Sequence, residues 1–308
     1  MMSIFQWTAR RATALALLSL LAVGAGAGCG GTTHGHTETG AAPAYDAGLH
    51  GLLPARIRTA GVIQVVTDAS YAPASSFAPD GHTIVGFEPD LGDALGRVLG
   101  VKVRFANADF SSLLGRVASH RADAVMSALT DTPDRERSAD FINYFSAGTS
   151  IVVQRGNAAG ITDLVGLCGH TVAVEKDTTQ VDLLARSQKQ CGGRSIRVTT
   201  ADTNADALLQ LRTGRAQAVL NDYPPAVALT TDAKTRSQYQ LASTTQYEPG
   251  LYGIAVAKDD KELRHALELA LDRVIHAGAY AEILHRWDVD EGGVPTASIN
   301  AARIAPAT

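Results

Sequence analysis

The sequence has 308 residues, of which 45% are hydrophobic and 19% are charged, and its formal net charge is -4 at pH 7. A chain of this length can form about two domains, and its composition excludes a protein that is disordered or membrane-embedded over its bulk. The negative net charge and the lack of a basic stripe argue against a nucleic-acid partner.

The first 28 residues are typical of an export signal. A pair of arginines precedes an apolar stretch over residues 12–23, and small residues then lead to Cys29. This stretch is too short to span a bilayer. We predict that residues 1–28 are a lipoprotein signal peptide and that lipid on Cys29 anchors the protein to the outer face of the cytoplasmic membrane. An ordinary signal peptide with an incidental cysteine is the alternative, because Gly26 stands where leucine usually precedes a lipidated cysteine.

Residues 29–50 are rich in glycine, threonine and alanine and show no hydrophobic period, which predicts a flexible tether. His34 and His36 lie in this segment. Their spacing could bind a metal, but a solvated linker is the favoured interpretation, and we predict no metal site and no cofactor.

The two remaining cysteines form an even pair if Cys29 carries lipid. In an exported protein this favours a disulfide between Cys168 and Cys191. Two separate buried thiols are the alternative interpretation.

Strand and helix patterns alternate from residue 57 onward. Residues 62–66 alternate as a strand, apolar residues at helical spacing follow from Phe87 to Leu99, and that helix should end at Gly100. Glu88 and Asp90 fall at its start, where negative charge is favoured by the helix dipole. A strand at 101–105, a helix at 110–120 and a strand at 122–126 come next. This alternation predicts an α/β fold with largely parallel pairing.

Two sequence patterns recur in the same order along the chain. TVAVEKDTTQ at 171–180 is similar to VIQVVTDASY at 62–71, and RAQAVLND at 215–222 is similar to RADAVMSA at 121–128. Two similarly built lobes would produce this repetition. Ligands of open α/β sheets bind outside the carboxyl ends of the strands. Four strand ends are therefore expected to face one cleft, and they carry Asp68 and Tyr71, Ser127 to Arg135, Thr178 and Thr179, and Asn221 and Asp222.

The last part of the chain is predicted to be helical. One apolar stripe runs through residues 263–275, and a second follows the break at Gly278. We interpret both stripes as core.

Eight segments between about residue 60 and residue 290 stand out together. In order, they read TDASYAP, IVGFEPDLGDAL, MSALTDTPDRERSADF, GTSIVVQRG, VAVEKDTTQ, GRAQAVLNDYPPA, YGIAVAKDDKELRHAL and AYAEILHRWDV. In order and spacing they resemble the extracellular solute-binding proteins of family 3, the receptors of polar amino acid ABC transporters.

The resemblance implies a type II periplasmic-binding-protein fold, in which two α/β lobes are joined by two hinge strands and close on a ligand. Lobe 1 would be discontinuous, with residues 51–152 plus 250–308, and lobe 2 would span 153–249. The hinges would pass near residues 151–153 and 251–254.

The same resemblance implies roles for the cleft residues. Arg135 would hold the ligand α-carboxylate in a bidentate pair, assisted by Thr130 and by Thr179 at a helix N-terminus. Asp222 would hold the α-ammonium group with help from Ser127 or Thr130.

The distal part of the ligand would meet a second set of residues. Tyr71 and Phe110 would enclose the aliphatic stem, and Asp68 would meet the polar end of the side chain. Glu175 occupies a position from which some relatives reach the ligand side chain. With Asp177 these acids favour arginine, lysine or ornithine, and glutamine next.

The expected partners are a small amino acid and a membrane permease with its ATPase, and we expect a monomer that is not an enzyme. A cyclic-substrate dehydratase on the same fold is the alternative, with Glu175 as its acid or base. The sequence contains none of the common hydrolase, phosphate-loop or dinucleotide motifs. A ligand-sensing domain is a third interpretation, and it would need a separate signalling partner.

Overall fold

The computed structural model describes residues 44–302, so the predicted signal peptide, Cys29, His34 and His36 lie outside the described residues. The helices in this range are α1 (Ala47–Leu52), α2 (Ala55–Ala60), α3 (Phe87–Leu99), α4 (Leu113–Ala118), α5 (Pro133–Glu136), α6 (Thr179–Ser187), α7 (Asn204–Arg212), α8 (Tyr223–Thr231), α9 (Lys261–His276) and α10 (Ala279–Arg286). The strands are β1 (Val62–Thr67), β2 (Ser70–Tyr71), β3 (Ser75–Phe77), β4 (Ile84–Val85), β5 (Lys102–Asn107), β6 (Ala124–Val125), β7 (Ala139–Gln154), β8 (Thr171–Glu175), β9 (Arg197–Ala201), β10 (Ala218–Asp222), β11 (Tyr239–Leu241), β12 (Tyr247–Ala257) and β13 (Gly293–Ile299).

The main sheet runs in the order β5-β1-β6-β12-β7-β10-β8-β9, with β11 and β13 also paired to β7. The long antiparallel strands β7 and β12 lie side by side in its middle. Strands β2, β3 and β4 form a small separate sheet. The predicted α/β class is confirmed.

The two halves of the sheet have the same internal plan. Strand β1 pairs in parallel with β5 and β6, and β8 pairs in parallel with β9 and β10. The recurring sequence patterns thus occupy equivalent places in two α/β lobes. Three antiparallel steps, from β6 through β12 and β7 to β10, make the strands of the two halves run in opposite directions. The carboxyl ends of one half therefore face those of the other across a shared cleft.

Each lobe has two buried hydrophobic clusters of its own, and β7 contributes to clusters of both lobes. Ala147 belongs to the core built around Phe87, Tyr144 and Tyr252, whereas Ile151 belongs to the core that also contains Val172 and Leu184. The strand therefore passes from one core to the other between residues 147 and 151, slightly ahead of the expected hinge at 151–153. Strand β12 crosses between the lobes in the opposite direction: Tyr247 packs against the core that contains Ile151, and Tyr252 lies inside the core that contains Phe87.

Cys168 and Cys191 form the predicted disulfide, across a sequence separation of 23 residues. Both cysteines are buried in the core of the second lobe, where Cys191 follows helix α6. The bond thus ties two segments of that lobe together.

The start and end of the described chain differ from the sequence-based expectations. Helix α1 begins at Ala47, inside the predicted tether, because the Asp46 carboxylate caps it by accepting from the amides of Gly48 at 2.9 Å and Leu49 at 3.1 Å. Strand β13, which has no hydrophobic period, pairs with β7 after the last helix. None of the helices within residues 44–302 combines the length and apolar character needed to cross a membrane.

Candidate functional site

A pocket lies between the two lobes. All ten residues expected to bind a ligand line it, together with two that were not expected. The lining consists of Asp68, Tyr71, Phe110, Ser127, Ala128, Thr130, Arg135, Glu175, Thr178, Thr179, Gln180 and Asp222.

Four of these side chains are positioned by the ends of parallel strands. Asp68 follows β1, Ser127 comes two residues after β6, and Glu175 and Asp222 are the last residues of β8 and β10. The carboxyl ends of parallel strands lie at one edge of a sheet, so each lobe presents a pair of polar residues to the cleft.

Arg135 reaches across the cleft. Its amide is capped by the Thr132 hydroxyl at 3.2 Å in the short helix α5. Its guanidinium donates to the carbonyl of Thr130 at 2.7 Å and to that of Asp177, in the other lobe, at 2.9 Å. The guanidinium also lies 5.6 Å from the centre of the Phe110 ring, within cation–π range. Burial lowers the pKa of Arg135 to about 10, which leaves it charged at neutral pH.

Asp222 is buried and has hydrogen-bond partners in both lobes. Its carboxylate accepts from the Gln180 amide at 2.6 Å, and its backbone amide donates to the Tyr71 hydroxyl at 2.9 Å. Burial raises the pKa of Asp222 to about 6, although the hydroxyls of Tyr252 and Tyr71 and the Gln180 amide act in the opposite direction. Sequence reasoning missed Gln180, whose amide reaches Asp222 through the placement of α6, which no local pattern indicates.

Ser127 and Asp68 stabilise each other's position at the edge of lobe 1. The Asp68 amide donates to the Ser127 hydroxyl oxygen at 2.9 Å, and the Asp68 carboxylate accepts from the Ser70 amide at 2.9 Å. The Ser127 hydroxyl keeps its proton and a second oxygen lone pair free of Asp68, because the Asp68 amide uses only one lone pair.

Glu175 is, with Asp222, a buried acid of lobe 2, and among residues 44–302 its Oε1 atom has no hydrogen-bond partner. Burial raises the pKa of Glu175 to about 9, and the negative charges of Asp68 and Asp222 act in the same direction. The ligand-free cavity therefore holds Glu175 protonated at neutral pH.

The N-terminus of α6 also borders the cavity. The Thr178 hydroxyl donates to the Glu175 carbonyl at 2.7 Å, and no side chain caps the helix. Thr179 and Gln180, its first two residues, line the cavity. A helix N-terminus with uncapped amides favours an anion.

The comparisons with known proteins agree on one class. The putative ABC transporter arginine-binding protein 2 of Escherichia coli K12 is 30% identical over 240 residues, which covers 74% of this chain and 91% of that protein. The L-arginine-binding protein of Pseudomonas aeruginosa is 29% identical over 73% of this chain and 87% of its own length.

Solved structures give the same result for the fold. An ancestral arginine-binding protein bound to arginine superposes with a TM-score of 0.68 and 31% identity, covering 74% of this chain and 98% of that one. Holo ArgBP from T. maritima superposes with a TM-score of 0.64 and 29% identity, covering 76% of this chain and 98% of that one. The predicted periplasmic-binding-protein fold is confirmed.

The relatives named above are binding proteins, which supports the prediction that this chain is not an enzyme. The sequence model of the bacterial extracellular solute-binding proteins, family 3, matches residues 63–290. The chain belongs to this family.

Proposed function

We propose that the protein captures a polar L-amino acid as the extracytoplasmic substrate-binding component of an ABC importer, with a cationic side chain of the arginine or lysine type favoured and glutamine next. The charge balance of the cavity carries this proposal. Three carboxyl groups, those of Asp68, Glu175 and Asp222, and a single guanidinium line it. Even with Glu175 protonated, the carboxylates of Asp68 and Asp222 outnumber the guanidinium by one. A ligand with one net positive charge reduces this imbalance, and the relatives named for arginine support the same choice.

The two ends of the amino acid backbone would be held from opposite lobes. A guanidinium has five N–H donors, and Arg135 uses two of them on the carbonyls of Thr130 and Asp177. The remaining three suit a bidentate pair with the ligand α-carboxylate, assisted by Thr130 and by the α6 N-terminus at Thr179. Asp222 would hold the α-ammonium group with Ser127 or Thr130. Both charges need partners, because burying an unpaired charge opposes binding.

The side chain of the ligand would lie toward the acidic end of the cavity. Tyr71 and Phe110 would flank its stem. Asp68 and the unpartnered Oε1 atom of Glu175 would accept from a terminal guanidinium or ammonium group. A glutamine amide could donate to the same oxygens without neutralising them, which places it second.

Capture would proceed by closure of the two lobes, 51–152 plus 250–308 and 153–249. Arg135 and Asp222 belong to different lobes, so a ligand that touches both stabilises the closed form. The closed monomer would then dock on a membrane permease whose ATPase drives import.

A thermal-shift screen of refolded protein against the common amino acids tests this proposal. A ligand at about 100 times its Kd adds roughly 2.7 kcal/mol, which raises the melting temperature by several degrees for a chain of this size. We expect arginine or lysine to give the largest shift. A larger shift with acidic or small neutral amino acids, or none with any, would contradict it.

We further propose that lipid on Cys29 anchors the protein to the outer face of the membrane. Expression of Cys29→Ala should release it from the membrane fraction, with Cys168→Ala as the matched control that stays bound. Equal membrane retention of the wild type and Cys29→Ala would contradict lipidation.

A further inference from the structure

Glu88 is a buried carboxylate that takes no part in the cavity wall. It is the second residue of α3 and has no exposed surface. Instead of staying at the helix end in contact with solvent, its carboxylate turns into the core of lobe 1. Oε2 accepts from the Ser75 hydroxyl at 2.7 Å, and Oε1 accepts from the Ala128 amide at 2.5 Å and from the Tyr144 hydroxyl.

Ala128 is the residue of this group that lines the cavity. Its φ of 45° is left-handed, a conformation that costs free energy for any residue with a Cβ atom. On either side, the chain is tied to strands, because the Met126 amide donates to Val66 and the Leu129 carbonyl accepts from Gly253. At the centre of the turn, Glu88 is the acceptor of the Ala128 amide.

A carboxylate at this position is costly for folding. Glu88 accepts three hydrogen bonds but has no ion-pair partner among residues 44–302, so burying its charge is unfavourable, and an apolar side chain would fill the same space without that cost. Burial raises the pKa of Glu88 even though three donors act against the shift. A requirement of packing alone does not account for the choice of glutamate.

We propose that Glu88 is a positioning residue of the binding site, whose carboxylate holds the left-handed turn at Ala128 and thereby directs Ser127 and Thr130 toward the ligand. The effect on ligand affinity rests on the proposed function. The effect on the turn does not, because it exists without a ligand.

The test compares three variants in two assays. Glu88→Met fills the space without an acceptor, and Glu88→Gln restores an acceptor oxygen for the Ala128 amide. Leu95→Ala is the stability control, since Leu95 is buried in the same core on the same helix and lies outside the cavity lining. The assays are amide hydrogen exchange of residues 124–132 in ligand-free protein and the Kd for arginine by calorimetry.

We expect Glu88→Met to lose protection of the turn and to raise the Kd by at least about tenfold, whereas Glu88→Gln stays within about threefold of the wild type. Leu95→Ala should melt earlier with normal protection and affinity. The positioning role is wrong if Glu88→Met keeps wild-type protection of the turn and wild-type affinity. It is also wrong if Leu95→Ala loses as much protection and affinity as Glu88→Met does.

Glu88→Asp decides the matter if Glu88→Met does not fold. Its side chain is one methylene shorter, so the carboxylate lies farther from the Ala128 amide. We therefore expect the same loss of protection and affinity, and wild-type protection and affinity would overturn the proposal. Should the wild type bind no arginine, the proposed function fails, and the exchange measurement still tests the positioning of the turn.

Discussion

Arg135 offers the sharpest perturbation of the proposed clamp. Truncating one partner of a buried, hydrogen-bonded charge pair typically costs about 2–5 kcal/mol. Because Arg135 is only partly buried as a whole residue, we expect the lower part of this interval for Arg135→Ala. A loss of about 2–3 kcal/mol corresponds to a Kd for arginine that is about 30- to 150-fold higher. The variant also loses the bond to the Asp177 carbonyl that links the lobes.

Isothermal titration calorimetry with arginine measures this effect on the wild type and three variants. Arg135→Lys keeps the charge but not the planar fork, so its affinity should fall between the wild type and Arg135→Ala. Arg137→Ala is the matched control, because Arg137 lies in the same charged run and pairs on the surface with Asp134 at 2.6 Å. An Arg135→Ala protein that binds within about threefold of the wild type would refute the clamp assignment.

Three further predictions concern the acids and the disulfide. Asp68→Asn should weaken arginine binding far more than glutamine binding in parallel titrations, and equal losses would remove Asp68 from charge selection. Glu175 has a pKa of about 9 in the folded protein against an ordinary value of 4.5. The protonated Glu175 side chain stabilises the fold fully below pH 4.5, and this contribution to the free energy of unfolding is lost as the pH rises toward about 9. The calorimetric melting temperature of ligand-free protein should therefore fall between pH 4.5 and about pH 9. In Glu175→Gln the fall should be smaller, mainly above about pH 6, where Asp222 titrates. The Cys168→Ala/Cys191→Ala double variant should lose about 3 kcal/mol of stability by denaturant unfolding with its Kd for arginine unchanged, and unchanged unfolding would contradict this.

The polar residues at the strand ends can be predicted from the sequence. The strands beside Asp68 and Glu175 are equivalent in the two halves, as are those beside Ser127 and Asp222, and the repeated sequence patterns alone indicate that these strands correspond. A strand end also has a fixed place in an α/β lobe. Position in the cleft is therefore predictable without knowing how the lobes pack.

Residues whose roles depend on distant packing cannot be predicted in this way. Glu88 fits the pattern of a helix start, yet its partners Ser75, Ala128 and Tyr144 come from three separate segments. Gln180 follows an expected site residue, but only the placement of α6 brings its amide to Asp222. Such contacts arise from tertiary structure, which a periodicity in the sequence does not encode.

The end of the predicted tether was misplaced for a different reason. Composition near residue 48 suggests a linker, but the Asp46 carboxylate caps a short helix there and the Tyr45 ring meets His50 edge-on at 5.9 Å. One capping residue outweighs the local composition.

A comparison of arginine with citrulline shows whether the cavity selects a charged ligand side chain. The two amino acids have nearly the same shape, and citrulline carries an uncharged urea group in place of the guanidinium. Titration of each into refolded wild-type protein should show arginine binding at least about 100-fold more tightly, or about 2.7 kcal/mol. Equal affinities for the two would show that Asp68 and Glu175 do not select a cation and would contradict the proposed preference for a cationic ligand.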